Sequence, residues 1–199
     1  PTTEIYTELT SSAASDVYKR QKQEYQNLAQ NQYYNANNMT DKFAALTYSV
    51  SVSFSNSKKM LLDFYDKFKY DDLLIDKWFR VQASSQDINV LQYVKKLALH
   101  EKFSLKNPNR MRALLLVFSN NFSQFHAKDN ANDAYKFIAD YILKIDIINP
   151  MSATALMKNF KLYTKCDTQR QKLMRKSLDH IINSKSISKD LAEIINYIF

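Results

Sequence analysis

The sequence contains no glycine. Glycine supplies the positive-φ positions of tight hairpins and the close backbone approach of phosphate-cradling loops. Its absence argues against β-sandwiches, dinucleotide-binding sheets and P-loops together, and leaves no room for a G-x-S-x-G nucleophile elbow. Prolines stand only at positions 1, 108 and 150, so little interrupts helices. The single cysteine, Cys166, excludes an intrachain disulfide and gives no sign of an oxidising compartment. No apolar run reaches the roughly 18 residues of a membrane span, and no signal-peptide pattern opens the chain. The expectation is a cytoplasmic protein with no membrane partner. His100, His126 and His180 are too far apart for the H-E-x-x-H arrangement that puts two imidazoles one helical turn apart on a zinc ion. Cys166 has no histidine near it and reads as a packed thiol rather than a nucleophile. The chain by itself is expected to hold neither a catalytic constellation nor a metal.

What is present is apolar and helical. Apolar residues fill 45% of the 199 positions and aromatics 13%, too much for wholesale disorder and enough for the core of one domain, or most of one. The expected class is all-α. Periodicity and turn signals predict helices over about 40–54, 57–68, 71–83, 87–101, 108–119, 130–146, 151–165, 168–184 and 188–198. Ile88, Leu91, Val94 and Ala98 share one face of the fourth, and Leu191, Ile194, Ile195 and Ile198 form the last apolar stripe. Asn56 or Ser57, Asp71 or Asp72, Asp87, Asp167 or Thr168, and Ser188 are placed to cap helices. Such helices joined by short connections pack as antiparallel pairs, and a row of pairs makes an irregular α-solenoid, an armadillo/HEAT-like superhelix. Trp78, the sole tryptophan, reads as a core anchor between two helices.

Asn107-Pro108-Asn109-Arg110-Met111-Arg112 carries the sharpest local signal. Asn107 is an N-cap, Pro108 suits the first helical position, and Ala113 to Phe118 are all apolar, so this helix is covered on more than one side. Two arginines in its first turn oppose the macrodipole and need an offset. A structural ion pair with a neighbouring helix supplies one; a bound anion or substrate carboxylate supplies the other. The basic residues Lys158, Lys161, Lys165, Arg170, Lys172, Arg175 and Lys176 read as a solvated face, since no aromatic side chain interleaves with them for base stacking. The net charge of +8 is spread over helix surfaces and does not by itself call for nucleic acid. The alternative is an independent helical-repeat scaffold that binds an acidic protein or nucleic acid through the 158–176 face.

Two resemblances go beyond composition. Thr2 to Thr7 and Ser12 to Gln21 resemble translated sequencing-adapter read-through, so residues 1–21 are expected to be a non-native extension and natural sequence to begin near Lys22. From about residue 30 onward, a series of strings in order resembles the C-terminal region of the bacterial aminopeptidase N family, zinc metallopeptidases of the gluzincin type. They are Asn35 to Asp41 with Ala44-Ala45-Leu46, Asp76-Lys77-Trp78-Phe79 with Gln82 to Ser85, Asn89-Val90-Leu91, Asn107 to Arg112, Phe125-His126-Ala127 with Asp129, Asn149-Pro150, Asp167, Arg170-Gln171 and Met174-Arg175. The resemblance implies that residues 22–199 are a C-terminal helical domain, incomplete at its N-terminal side, of a larger peptidase whose zinc site lies elsewhere. It implies zinc in the parent enzyme and none on this chain. The implied partners are the catalytic domain of the same polypeptide and short peptide substrates, with no nucleic acid. It places Arg112, and Arg110 beside it, at a cavity wall where an arginine attracts a peptide carboxylate. The family carries a second cavity arginine where this chain has Ala155, and a Gly-Ser-Gly turn where it has Asn130 to Ala134.

Overall fold

The structure, a computed structural model, describes residues 22–184 and 186–198, and the adapter-like segment 1–21 lies outside them. Helix is the only regular secondary structure among the described residues. The chain divides into two compact units, one ending at Phe64 and the other beginning at Tyr65.

The first unit holds α1 (residues 22–35), α2 (Met39–Ser51) and most of α3 (Ser57–Phe68). Helix α1 was not expected; its run of Gln, Asn and Tyr shows little apolar periodicity, and only Ala29 and Tyr33 are buried. Tyr33 holds it in place by donating its hydroxyl to Asp63 Oδ2 at 2.8 Å and to the Met60 carbonyl at 3.2 Å. Burial, with the Asp63 carboxylate beside it, pushes the Tyr33 phenol far above its ordinary range. Helix α2 starts at Asn38, whose side chain accepts from the Asp41 amide. It ends in a Schellman motif: Phe54 N–H donates to the Ser49 carbonyl, Ser53 N–H to that of Val50, and the Phe54 ring lies 5.6 Å from that of Tyr48. Without a glycine to use, the chain puts Ser53 in the left-handed position, at φ 53°.

The second unit holds α4 (Asp72–Ala83), α5 (Val90–Leu97), α6 (Pro108–Met111), a π-helical turn (Arg112–Leu116), α7 (Val117–Asn120), α8 (Phe122–Phe125), α9 (Ala131–Asp146), α10 (Pro150–Met157), a 3-10 helix (Lys158–Lys165), α11 (Thr168–Ile182) and α12 (Lys189–Ile198). Helix α4 packs on α5 and on the π turn, α10 on the π turn, α9 and α12, and α9 on α11. This pattern sorts the helices into two stacked rows, α4, α6 to α7, α10 and α12 in one and α5, α9 and α11 in the other. The result is the two-layered α-solenoid expected from short connections. Phe118, Phe125, Tyr135 and Phe160 are fully buried and meet at ring separations of 5.1–6.0 Å. Trp78 sits in a second aromatic group with Tyr65, Phe79 and His100.

Two expected helices are altered for physical reasons. The helix predicted over 87–101 shortens to Val90–Leu97 because Asp87 Oδ1 accepts from the Asn89 amide, an Asx turn that precedes the helix. That predicted over 151–165 becomes 3-10 from Lys158, where Phe160 and Tyr163 recur at an interval of three and stack on one edge. The helix predicted over 130–146 is observed as α9, so residues 131–134, where the family carries a Gly-Ser-Gly turn, form its first turn here, with Ala131 and Ala134 fully buried.

Candidate functional site

The turn that opens α6 is built as its sequence suggests. Asn107 Oδ1 accepts from the amides of Asn109 at 3.0 Å and Arg110 at 3.2 Å, and Pro108 takes the first helical position. Arg110 points inward and is only 4% exposed. Its Nε donates to Asp76 Oδ1, Nη1 to the Lys102 carbonyl, and Nη2 to Asp72 Oδ1 at 3.1 Å, while the guanidinium lies 5.4 Å from the Phe79 ring centre. Asp72 and Asp76, both on α4, thus neutralise the cation that the macrodipole disfavours.

Arg112 has a different environment. Two residues along a helix turn a side chain by about 200°, so Arg112 faces away from α4 and is exposed. Among the described residues its side chain makes no hydrogen bond or ion pair, leaving a complete fork of N–H donors for a carboxylate. It is also the first residue of the π turn, in which Val117 N–H donates five residues back to the Arg112 carbonyl. Such wide turns insert a residue into a helix and recur at functional sites. No sequence signal announces this one, because the apolar run Ala113 to Phe118 fits an ordinary buried helix equally well.

The remaining candidates have structural partners. His126 Nδ1 shares a hydrogen bond of 2.7 Å with the Tyr135 hydroxyl, and Arg170 Nε donates to the His126 carbonyl at 2.7 Å while Nη1 pairs with Asp167. Burial, reinforced by the Arg170 charge, pushes His126 down to about 4, so the imidazole is neutral near pH 7. His100 packs against Tyr65, Trp78 and Phe79 and accepts from the Lys102 amide; burial lowers its pKa too. His180 meets Asp140 at 2.9 Å. Among the described residues no three His, Cys, Asp or Glu side chains converge on a point that could hold a metal ion. Burial pushes the half-buried Cys166 thiol up, away from the thiolate a nucleophile needs. Ala155 lies half-buried on α10.

On the basic face, Arg170 belongs to the ion pair with Asp167, and Arg175 pairs with Asp179 at 3.0 Å. Lys158, Lys161, Lys165, Lys172 and Lys176 are exposed. The 3-10 helix does bring one aromatic side chain to this face: Tyr163 borders, with Lys172, Arg175 and Lys176, a shallow hollow of about 360 Å³.

Comparison with known proteins adds to this geometry. Residues 8–199 match the family described as "Domain of unknown function (DUF3458_C) ARM repeats", a span that begins inside the segment read above as non-native. The chain is 38% identical over 170 residues to aminopeptidase N of Haemophilus influenzae, covering 85% of this chain and 19% of that protein. It is 34% identical over 169 residues to aminopeptidase N of Escherichia coli, covering 84% and 19%. It therefore spans about a fifth of the length of these relatives. The crystal structure of Legionella pneumophila aminopeptidase A in complex with aspartic acid superposes with a TM-score of 0.79 at 30% identity, covering 91% of this chain and 21% of that one.

Proposed function

The chain belongs to the armadillo-repeat family that forms the C-terminal domain of aminopeptidase N, and on that premise we propose that it is the cavity-forming, non-catalytic domain of a zinc-dependent aminopeptidase. In this reading the parent enzyme removes N-terminal residues from short peptides in the cytoplasm. The present domain walls the space behind the reacting bond and limits which peptides enter. The single observation that carries the reading is the contrast at one helix start: Arg110 is fully committed to Asp72 and Asp76, while Arg112 presents an uncommitted guanidinium. Arg112 is the group we assign to the carboxylate of a peptide or of the departing product, as a charge-assisted bidentate contact. Arg110 serves it by fixing the first turn of the helix.

Among the described residues the three histidines turn to separate partners, on Lys102, Tyr135 and Asp140, and no three His, Cys, Asp or Glu side chains are grouped to hold a zinc ion. In this reading the zinc ligands and the groups that hold the substrate amine belong to the rest of the parent polypeptide. The test is an assay of the pure 199-residue chain supplied with zinc: it is expected to hydrolyse no aminoacyl-anilide substrate and to retain no stoichiometric metal after dialysis. Turnover by the pure chain overturns the proposal.

The second reading, an independent scaffold for nucleic acid or an acidic protein, is favoured by one observation, the Tyr163 hollow beside Lys172 and Lys176. It predicts binding to single-stranded oligonucleotides that weakens steeply with salt. Absence of binding at low ionic strength removes it.

A further inference from the structure

The connection that leaves α4 and the corner between α7 and α8 border a hollow of about 560 Å³, the size of an ordinary small-molecule site. Ser84, Gln86, Asn120, Asn121, Phe122 and Ser123 line it. It lies within the second unit and uses neither of the arginines discussed above. Lys, Arg, Asp and Glu make up 24% of the sequence, yet among the described residues no charged side chain lines this hollow, in contrast to the one beside Tyr163. A charged ligand would find no counter-charge here, and a purely apolar one would strand amides and hydroxyls without partners. The lining suits a neutral ligand rich in polar groups.

The wall is fixed from within. Asn121 is only 8% exposed and its side chain is fully committed: Nδ2 donates to the Ala83 carbonyl at 3.3 Å and to that of Ser85 at 2.8 Å, and Oδ1 accepts from Gln86 Nε2 at 3.2 Å. The Ser123 hydroxyl is shared between Asn121 Oδ1, at 3.3 Å, and Gln86 Oε1. Gln124 Nε2 donates to the Gln86 carbonyl at 3.0 Å and ties the two connections together again. Asn120 donates one amide hydrogen to the Leu116 carbonyl at 2.8 Å, which leaves its Oδ1 and second N–H without a partner among the described residues. Phe122 packs against the His126 ring, 4.7 Å between centres, and is still 60% exposed. An aromatic ring held in place on a polar wall and left open to solvent is a ready stacking surface.

We propose that this hollow is a binding site for a neutral sugar. A pyranose has an apolar C–H face that stacks on an aromatic ring, and around its rim hydroxyls that each donate and accept. Phe122 supplies the stacking surface and Asn120 the open amide, while Gln86 and Ser123, oriented by Asn121, keep lone pairs for sugar hydroxyls. A peptide is the other neutral chain with regular donors and acceptors, but its backbone is read along a strand edge, which helical connections do not present. The proposal goes beyond the aminopeptidase reading and asks nothing of Arg112 or of zinc.

The test is saturation-transfer difference NMR on the complete parent polypeptide with methyl β-glucoside as the probe. A hollow this open is expected to bind it in the millimolar range, with the strongest transfer to the protons of the stacked face. The signal should fall severalfold in Phe122→Leu, which loses the flat ring but keeps an apolar side chain, and in Asn120→Ala. It should survive in Phe122→Tyr, which keeps the ring, and in Tyr163→Ala, at the other hollow. Phe122 and Asn120 are both exposed, so the fold does not depend on either. No transfer in the parent, or a signal that survives Phe122→Leu or Asn120→Ala, overturns the proposal. Equal transfer to glucuronate, or to alanine capped at both ends as its N-acetyl amide, overturns it too, because the hollow would then select neither neutrality nor a sugar.

Discussion

The Arg110 guanidinium donates from Nε, Nη1 and Nη2 to two aspartates and a carbonyl, and one of those aspartates, Asp76, is itself only 17% exposed. Removing the arginine strands that carboxylate in a poorly solvated site, so Arg110→Ala is expected to lower the unfolding free energy by about 3 kcal/mol. Arg112→Ala removes an exposed side chain with no internal partner and should stay within about 0.5 kcal/mol of the parent. Urea denaturation of the two variants checks the contrast, and equal losses would contradict it. His126 supplies the pH-dependent counterpart. Its folded pKa of about 4 lies below the ordinary histidine value of 6.5, so the unfolded chain binds the proton more readily. The stability this group contributes is complete above about pH 6.5 and is lost as pH falls through about 4. Unfolding midpoints measured at pH 7 and pH 4.5 should therefore drop more in the parent than in His126→Gln. At this scale the sequence told that Asn107 and Ser188 cap helices and narrowed two further caps to Asp71 or Asp72 and Asp167 or Thr168, of which the structure uses Asp71 and Asp167, because a cap is a local bond between neighbours. It did not tell which carboxylates hold Arg110, because Asp72 and Asp76 lie on a different helix.

Elements with no glycine must end on other residues. Ser53 occupies the left-handed position of a complete Schellman motif, which for an L-residue carries a steric cost of about 1–2 kcal/mol. Ser53→Gly relieves that strain and gives back part of it as extra freedom of the unfolded chain, for an expected net gain of about 0.5–1 kcal/mol, readable by thermal or urea unfolding. A loss would mean that the serine makes contacts worth more than the strain. The helix that starts at Pro108 shows what periodicity cannot reveal. Six apolar residues in a row fit any covered helix, and whether one turn widens to i+5 bonding depends on what packs against both its sides, here α4 and α10. The 3-10 helix was more legible in retrospect: Phe160 and Tyr163 stand at an interval of three, with Lys158 and Lys161 on the outside at the same interval. Helix α1 gave almost no signal, since Tyr33 alone carries most of its burial.

At the scale of the whole molecule, the all-α solenoid was legible from the absence of glycine, the short connections and the strong apolar stripes of α5 and α12, each a consequence of local chemistry repeated along the chain. The candidate site was legible in part: the Asn-Pro turn marked the place and the roughly 200° between its two arginines let only one face a cavity, and packing then shows Arg110 buried on Asp72 and Asp76 and Arg112 exposed. If Arg112 meets a substrate carboxylate in a domain that does no chemistry, its loss should be felt by free peptide acids and not by their amides. The complete parent polypeptide is compared with its Arg112→Ala variant on one short peptide presented as the free acid and as the C-terminal amide. The expected result is that kcat/KM for the free acid falls about tenfold, the loss of about 1.4 kcal/mol from one charge-assisted contact, while kcat/KM for the amide is unchanged. An equal fall on both substrates, or on neither, would contradict it.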